Sequence, residues 1–168
     1  MIQLVPIEMV EPATVEHLLD RAFGQDRHTR TAYRLRAGTR ALSGLSLALL
    51  DGRALIGSIQ CWPIRFDGDD GSSRPLVLVG PVAIAPERQQ EGFGRRLMEA
   101  SLAAAGETLP LTLIGDPEYY GRFFGFSAAA TAGWRLPGPV DRHRLLARGR
   151  DIPIGTGSLG PRVDVIAA

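Results

Sequence analysis

Apolar positions along this chain recur first with the period of a strand, then with that of a helix, and the period changes at glycines and prolines. Residues 2–7 read as a strand. Residues 11–23 place Val15, Leu18, Leu19 and Ala22 on one side, the spacing of an amphipathic helix. Residues 27–37 form a second, more polar helical pattern. Residues 45–50 and 55–66 read as two strands joined by Asp51-Gly52-Arg53, a hairpin signal. A polar turn over 67–74 leads into the apolar run 76–84. Pro81 lacks an N–H for the ladder, so a bulge is expected at Gly80-Pro81. The clearest helix covers 93–105 and stops at Gly106, a residue suited to the position after a helix end. A buried strand at 111–114 and a short helix at 117–123, opened by Pro117, follow. Residues 126–134 and 142–147 are weaker strand patterns, and the Gly/Pro-rich segment 151–168 is expected to wrap the surface. Hairpin strands followed by a strand–helix–strand crossover predict an α/β (α+β) fold: a mixed, mostly antiparallel central sheet flanked by helices.

Composition narrows the classes of function. The 168 residues suit one domain spanning 1–168, with a core over about 1–150. The net charge of +1, with both signs interspersed, gives no footprint for nucleic acid or an acidic membrane surface. The only cysteine is Cys61, which excludes an internal disulfide and points to a reducing compartment. The first residues lack a basic region and carry Glu8 within their apolar stretch, unlike a signal peptide. No apolar run reaches the ~18 residues of a membrane helix. These features describe a soluble, cytoplasmic protein, and they are compatible with a homodimer.

The candidate chemistry begins at Gln89-Gln90-Glu91-Gly92-Phe93-Gly94-Arg95-Arg96, between the strand at 76–84 and the best helix. Glycines let a backbone approach a ligand closely. A helix start directs unpaired N–H groups and a positive dipole end outward, which suits a phosphate. Arg95 and Arg96 stand in a first turn that normally favours Asp or Glu. A bound polyanion would reconcile them with the dipole. A P-loop is excluded because no Gly-Lys-Ser/Thr follows. A dinucleotide fingerprint would need glycine where Leu97 stands. What remains is Gln-x-x-Gly-x-Gly at a strand–turn–helix junction.

The segment VAIAPERQQEGFGRRLM (82–98) resembles motif A of the GNAT superfamily of N-acetyltransferases, with Gln89, Gly92 and Gly94 in the signature positions. GDPEYYGRFFGF (115–126) resembles the family's following segment, a tyrosine on a short helix ahead of a Gly-Phe strand start. The resemblance implies acetyl-CoA as cosubstrate, no metal, and a primary amine, on a small molecule or a peptide, as acceptor. It implies that the backbone of Val82, Ala83 and Ile84 pairs with the pantetheine arm. The amides from Gln90 through Glu91, Gly92, Phe93 and Gly94 to Arg95 would cradle the pyrophosphate, with Gln89 leading into the turn and Tyr120 and Phe123 closing over the cofactor. A backbone N–H near Ile84 would stabilise the oxyanion, and Tyr120 would hydrogen-bond the departing sulfur. One residue more than the commoner spacing separates Tyr120 from Gly125-Phe126, so Tyr119 and Tyr120 are both candidates for that role. The bulge at Gly80-Pro81 would splay the strand from its neighbour at 111–114 and open the cleft for the thioester.

The remaining residues with chemical side chains are blander. A lysine-like amine has a pKa of ~10.4 and must lose a proton before it attacks, so a base or water chain is required. Asp116 and Glu118 lie close to the strand end, but either also suits a helix cap. Cys61 reads as a packed thiol, and His17, His28 and His143 lack metal spacing. Trp62 reads as core, Arg142-His143-Arg144 as a solvated edge, and Trp134 has no assignment. A second reading is a module that binds acyl-CoA without turnover, as a sensor. The glycine turn supports both readings equally, whereas a tyrosine at the thioester favours the enzyme.

Overall fold

The structure, a computed structural model, describes residues 1–163. An eight-stranded sheet runs in the order β1-β2-β3-β4-β5-β7, with β8 against β3 and β6. Its strands are β1 (Ile2–Pro6), β2 (Leu47–Asp51), β3 (Ala54–Gly68), β4 (Ser73–Ile84), β5 (Leu111–Ile114), β6 (Trp134–Arg135), β7 (Leu145–Arg148) and β8 (Gly157–Pro161). The helices are α1 (Pro12–Phe23), α2 (Thr31–Leu35), α3 (Phe93–Ala105) and α4 (Pro117–Phe124). All strand pairs are antiparallel except β4·β5 and β6·β8. The mixed, mostly antiparallel sheet expected from the element order is therefore present.

The long hairpin β3–β4 is the spine, and alternate residues feed opposite cores. Val77 and Val79 face a cluster with Leu97, Met98 and Leu102 of α3, while Leu76 and Leu78 face Trp62, Ile64 and Trp134. Helices and loops cover both faces, so these strands are apolar on both sides instead of alternating with polar residues. A third cluster packs Val15, Leu18 and Leu19 of α1 over Ala48, Ala83 and Ala85. The stripe Leu97, Met98, Leu102 anchors α3, each side chain contributing about 1.5–3 kcal/mol by burial. That anchor fixes the glycine turn at the front of the helix against the end of β4.

Two features of β4 shape the molecule's cleft. Ile59 pairs with Val82 and Cys61 with Val79, so Gln60 alone faces both Gly80 and Pro81. This is the expected bulge, and the Gly80-Pro81 peptide is cis. On its other edge β4 meets β5 only at the pairs Val77↔Leu111 and Leu78↔Thr112. Beyond the bulge the two parallel strands separate, leaving the edge of β4 from Val79 to Ile84 without a strand partner among the described residues.

Three expectations are corrected. Residues 27–37 are not one helix: a 3-10 turn over Gln25–Thr29 precedes the five-residue α2. Residues 126–134 are not a strand. Their sequence after Phe126 is mostly Ala, Thr and Gly, with nothing to fill a sheet face, and pairing is limited to the Ser127↔Ala147 bridge and the start of β6 at Trp134. The Gly/Pro-rich tail does more than wrap the surface, because β8 continues the sheet along the half of β3 that β2 leaves free. The tail's residues 164–168 lie outside the described residues. Asp69 in the β3–β4 turn ties this end to β6 through both oxygens, 3.0 and 2.6 Å from the Arg135 guanidinium.

Candidate functional site

The turn ahead of α3 is built to present amides. Gln90 (φ 68°) and Gly92 (φ 83°) are both left-handed, an alternation that turns successive N–H groups toward one side. No side chain caps the helix. Among the described residues, the amides from Gln90 to Arg95 have no protein acceptor, and the first to find one is Arg96, which donates to Gly92. A Cβ on Gly92 would meet nothing within 4 Å, so the residue faces open space. Gly94 sits over the end of β4, where a Cβ would stand 3.9 Å from Ile84 and 4.0 Å from Val82. Arg95 is held by Glu99 (2.9 Å) and stacks on the exposed ring of Phe123 (4.6 Å). Glu91 is turned aside to pair with Arg88 (2.9 Å).

The free edge of β4 leads from this turn into the sheet. Ala85 N–H donates to Ile56 of β3 (2.8 Å). By the two-residue alternation of an antiparallel ladder, Ala83 also faces β3 with its N–H and C=O. Val82 and Ile84 therefore direct theirs to the open edge. Ala83 is turned away from the cleft in both backbone and side chain, the latter being buried under α1. Of the three strand residues singled out for the cofactor, only Val82 and Ile84 present amides to the groove.

Two cavities meet here. The smaller, about 330 Å³, is lined by Val82, Ile84, Gln89, Gln90, Gly92 and Gly94, with Tyr119 on its wall. The larger, about 650 Å³, lies over the bulge and the splay, between Val79–Val82, Leu113, Ile114 and the α1–α2 region. Phe23 and Val82 line both, so the two cavities adjoin across these residues. The two tyrosines divide between them: Tyr119 faces the smaller cavity and Tyr120 the larger. The rings meet edge to face at 5.0 Å. Tyr120 lies flat against the chain at Gly115, where a Cβ would come within 2.4 Å of its ring. Burial, with Tyr119 beside it, pushes the Tyr120 phenol above the usual tyrosine pKa. It therefore stays protonated at neutral pH, as a donor.

The other sequence candidates fall into structural roles. Asp116 caps α4 by accepting from Glu118 N–H (3.0 Å), and neither carboxylate lines either cavity. Cys61 is buried against Ser101 and Leu45, its thiol pushed up to about 11 by burial. Trp134 is fully buried beside Phe66 (5.6 Å). Among the described residues no three His, Cys, Asp or Glu side chains gather as a metal site, and no helix is long and apolar enough to cross a membrane. Sequence reasoning missed the wall of the larger cavity: Arg30 and Arg36 from the α2 region, and Asp141 and Arg144 from the loop before β7. Arg144 sits in the segment read as a solvated edge. The loop reaches the cavity because Asp141 caps a 3-10 turn that sets Arg144, still exposed to solvent, at the cavity rim. Nothing local in the sequence announces that placement.

Known proteins share this fold. A GNAT-family acetyltransferase from Brucella melitensis, solved in complex with acetyl-CoA, is 22% identical and superposes with a TM-score of 0.66 over 96% of each chain. A GNAT-family N-acetyltransferase (YhbS) from Escherichia coli, solved with CoA, is 22% identical, with a TM-score of 0.67 over 96% of this chain and 89% of its own. Both likenesses concern the fold. No curated protein sequence matches the chain significantly. The sequence model of the acetyltransferase (GNAT) family matches residues 13–126, from α1 through the glycine turn to the end of α4, and the chain belongs to that family.

Proposed function

We propose that this protein is an N-acetyltransferase that moves the acetyl group of acetyl-CoA to a primary amine by direct attack in a ternary complex. The observation that carries the reading is the order of features along the two adjoining cavities. Unpaired amides at a helix start, a free strand edge and a half-buried tyrosine follow one another from Gln90 to Tyr120. The amides of Gln90 to Arg95 would hold the pyrophosphate, with Arg95 and Phe123 at the rim. Val82 and Ile84 would pair with the pantetheine arm as an extra strand does, which places the thioester at the splay beside Tyr120.

There the neutral amine attacks the thioester carbonyl carbon. The C–N bond forms, the C–S bond breaks, and the sulfur leaves with its electron pair as thiolate. The ammonium proton passes to water, and the products are an N-acetyl amide and CoA. Holding amine and carbonyl in contact supplies several kcal/mol of the barrier. An N–H of the open β4 edge, that of Ile84 or Val82, faces the carbonyl oxygen as negative charge develops on it. The protonated Tyr120 hydrogen-bonds the departing sulfur. Its raised pKa makes it a poorer full proton donor to a thiol of ~8.5, so a hydrogen bond is the role assigned to it. The buried free thiol of Cys61 suits a reducing compartment, and we place the enzyme in the cytoplasm.

Acetyl-CoA at about 100 times its Kd is expected to stabilise the fold by ~2.7 kcal/mol. For a chain of this size that raises Tm by about 5–10 °C. ATP and NAD at the same concentration are expected to leave Tm unchanged, since the turn has neither the P-loop lysine nor the dinucleotide glycines. A differential scanning measurement with the three ligands checks this. No shift with acetyl-CoA at saturation would remove the basis for the reading.

A further inference from the structure

Among the described residues, Arg36 is the one guanidinium of the cavity walls that is deeply buried without a carboxylate. It lies just past the end of α2 and is 9% exposed. Among the described residues its Nη1 has no hydrogen-bond partner and the side chain makes no ion pair. The head is clamped between two rings, 3.8 Å from the centroid of Tyr33 and 4.1 Å from that of Trp62. Both rings are themselves fixed. Tyr33 accepts a hydrogen bond from Arg27, and Trp62 donates from Nε1 to the Gly80 carbonyl at the bulge (2.9 Å). Desolvation pulls the Arg36 pKa below the ordinary arginine range. A buried cation with an unmet donor is costly, and stacking on two rings recovers only part of that cost. An arginine held rigid, stacked and unpaired is shaped to receive a planar or tetrahedral oxyanion through two N–H groups.

The surrounding charge has the same sign. Arg30 and Arg144 also line this cavity, and among the described residues neither forms an ion pair. The charge of Arg27 is already matched by Glu16 and Asp20 (3.1 Å to Asp20). Asp141 is the only carboxylate on the described wall, and it accepts from His143 N–H (3.0 Å). Three unmatched cations against one anion would repel an acceptor with several amines.

We propose that Arg36 anchors a carboxylate or phosphate on the acceptor, so that the substrate is a compact amine carrying an oxyanion, such as an amino acid or an aminoalkyl phosphate. This rests on the acetyl-transfer reading of the groove. The anchor stands across one indole ring from the Gly80-Pro81 bulge, where the splay begins. The amine and the oxyanion are therefore only a few bonds apart. Arg36 acts on the acceptor and has no part in holding acetyl-CoA.

The test is calorimetric titration of the acetyl-CoA-loaded protein, with release of free thiol recorded in parallel. One arm uses L-amino acids and ω-amino acids beside their carboxamides. The other uses 2-aminoethyl phosphate beside ethanolamine. Anionic members of at least one arm are expected to bind about 10- to 100-fold tighter than their neutral counterparts. The arm that responds names the oxyanion. Arg36→Met is expected to erase that preference without changing acetyl-CoA affinity, and Arg36→Lys to restore it in part. Equal binding of charged and neutral partners by the unaltered protein would overturn the proposal, without needing either variant to fold. Preference that survives in Arg36→Met would overturn it too. Failure of acetyl-CoA itself to bind would instead count against the acetyl-transfer reading, because oxyanion preference can be measured on the unloaded protein as well.

Discussion

Gly92→Val is expected to abolish the stabilisation by acetyl-CoA while the chain still folds. Two costs coincide at this position. Gly92 has φ 83°, where a β-branched residue is strained, so the substitution lowers stability by about 1–2 kcal/mol. A Cβ there meets no protein atom within 4 Å. The isopropyl group therefore projects into the concavity that the amides of Gln90 to Arg95 surround. The first effect is general and the second is specific to a ligand. Gly106→Val separates them. Gly106 caps the other end of α3 at φ 73° and ψ −170°, with equally open surroundings but in a region that is essentially glycine-only, so it carries at least as much strain away from the groove. It should lose at least as much stability and keep the full acetyl-CoA shift. Scanning calorimetry of both variants with and without acetyl-CoA reads the difference. A Gly92→Val protein that still gains about 5–10 °C would place the pyrophosphate elsewhere.

Tyr120→Phe is expected to reduce kcat about 100-fold with acetyl-CoA affinity unchanged. The ring is held by Gly115 beneath it and by Phe126, 6.3 Å away, and phenylalanine fills the same space. Only the hydroxyl facing the larger cavity is lost. Tyr119→Phe should stay within about 3-fold in kcat, because that ring faces the smaller cavity and stacks against Phe123 and Phe124. The sign of the pH dependence follows from the raised pKa. A tyrosine that acts as a donor works below its pKa and fails as pH rises through it. Burial moves that failure above the ordinary ~10, so Tyr120 should add no alkaline limb to the rate in the neutral range. Single-turnover kinetics on both variants tests the assignment. Unchanged turnover in Tyr120→Phe would move the role to Tyr119 or to water.

The glycine turn and the bulge in β4 were legible in the sequence because their information is local. Gly92 and Gly94 follow an apolar strand and open a helix whose bounds, Phe93–Ala105, match the periodicity residue for residue. Pro81 announced the bulge through its missing N–H, and the bulge is where β4 leaves β5. The sequence did not resolve which strand amides face the groove. That depends on the register against Ser58 and Ile56, a matter of pairing across the sheet. The wall of the larger cavity was illegible for the same reason. Arg36 and Trp62 lie far apart along the chain and meet only because α2 folds over β3. The strand β8 contains two glycines and a proline and has no apolar alternation. Glycine is required at 157 because a Cβ would come within 2.5 Å of the Asp67 carbonyl. A close backbone approach of that kind follows from the assembled sheet, and no window of sequence contains it.

The central claim is that this groove hands an acetyl group to an amine, and one measurement separates that from mere binding of acyl-CoA. The protein is incubated with acetyl-CoA and an amine library, and both free thiol and N-acetyl product are quantified. At least one class of amine is expected to release thiol above the hydrolysis background, matched one to one by N-acetylated product. A protein that is stabilised by acetyl-CoA yet yields no N-acetyl product with any amine would contradict acetyl transfer and make the groove that of an acyl-CoA sensor.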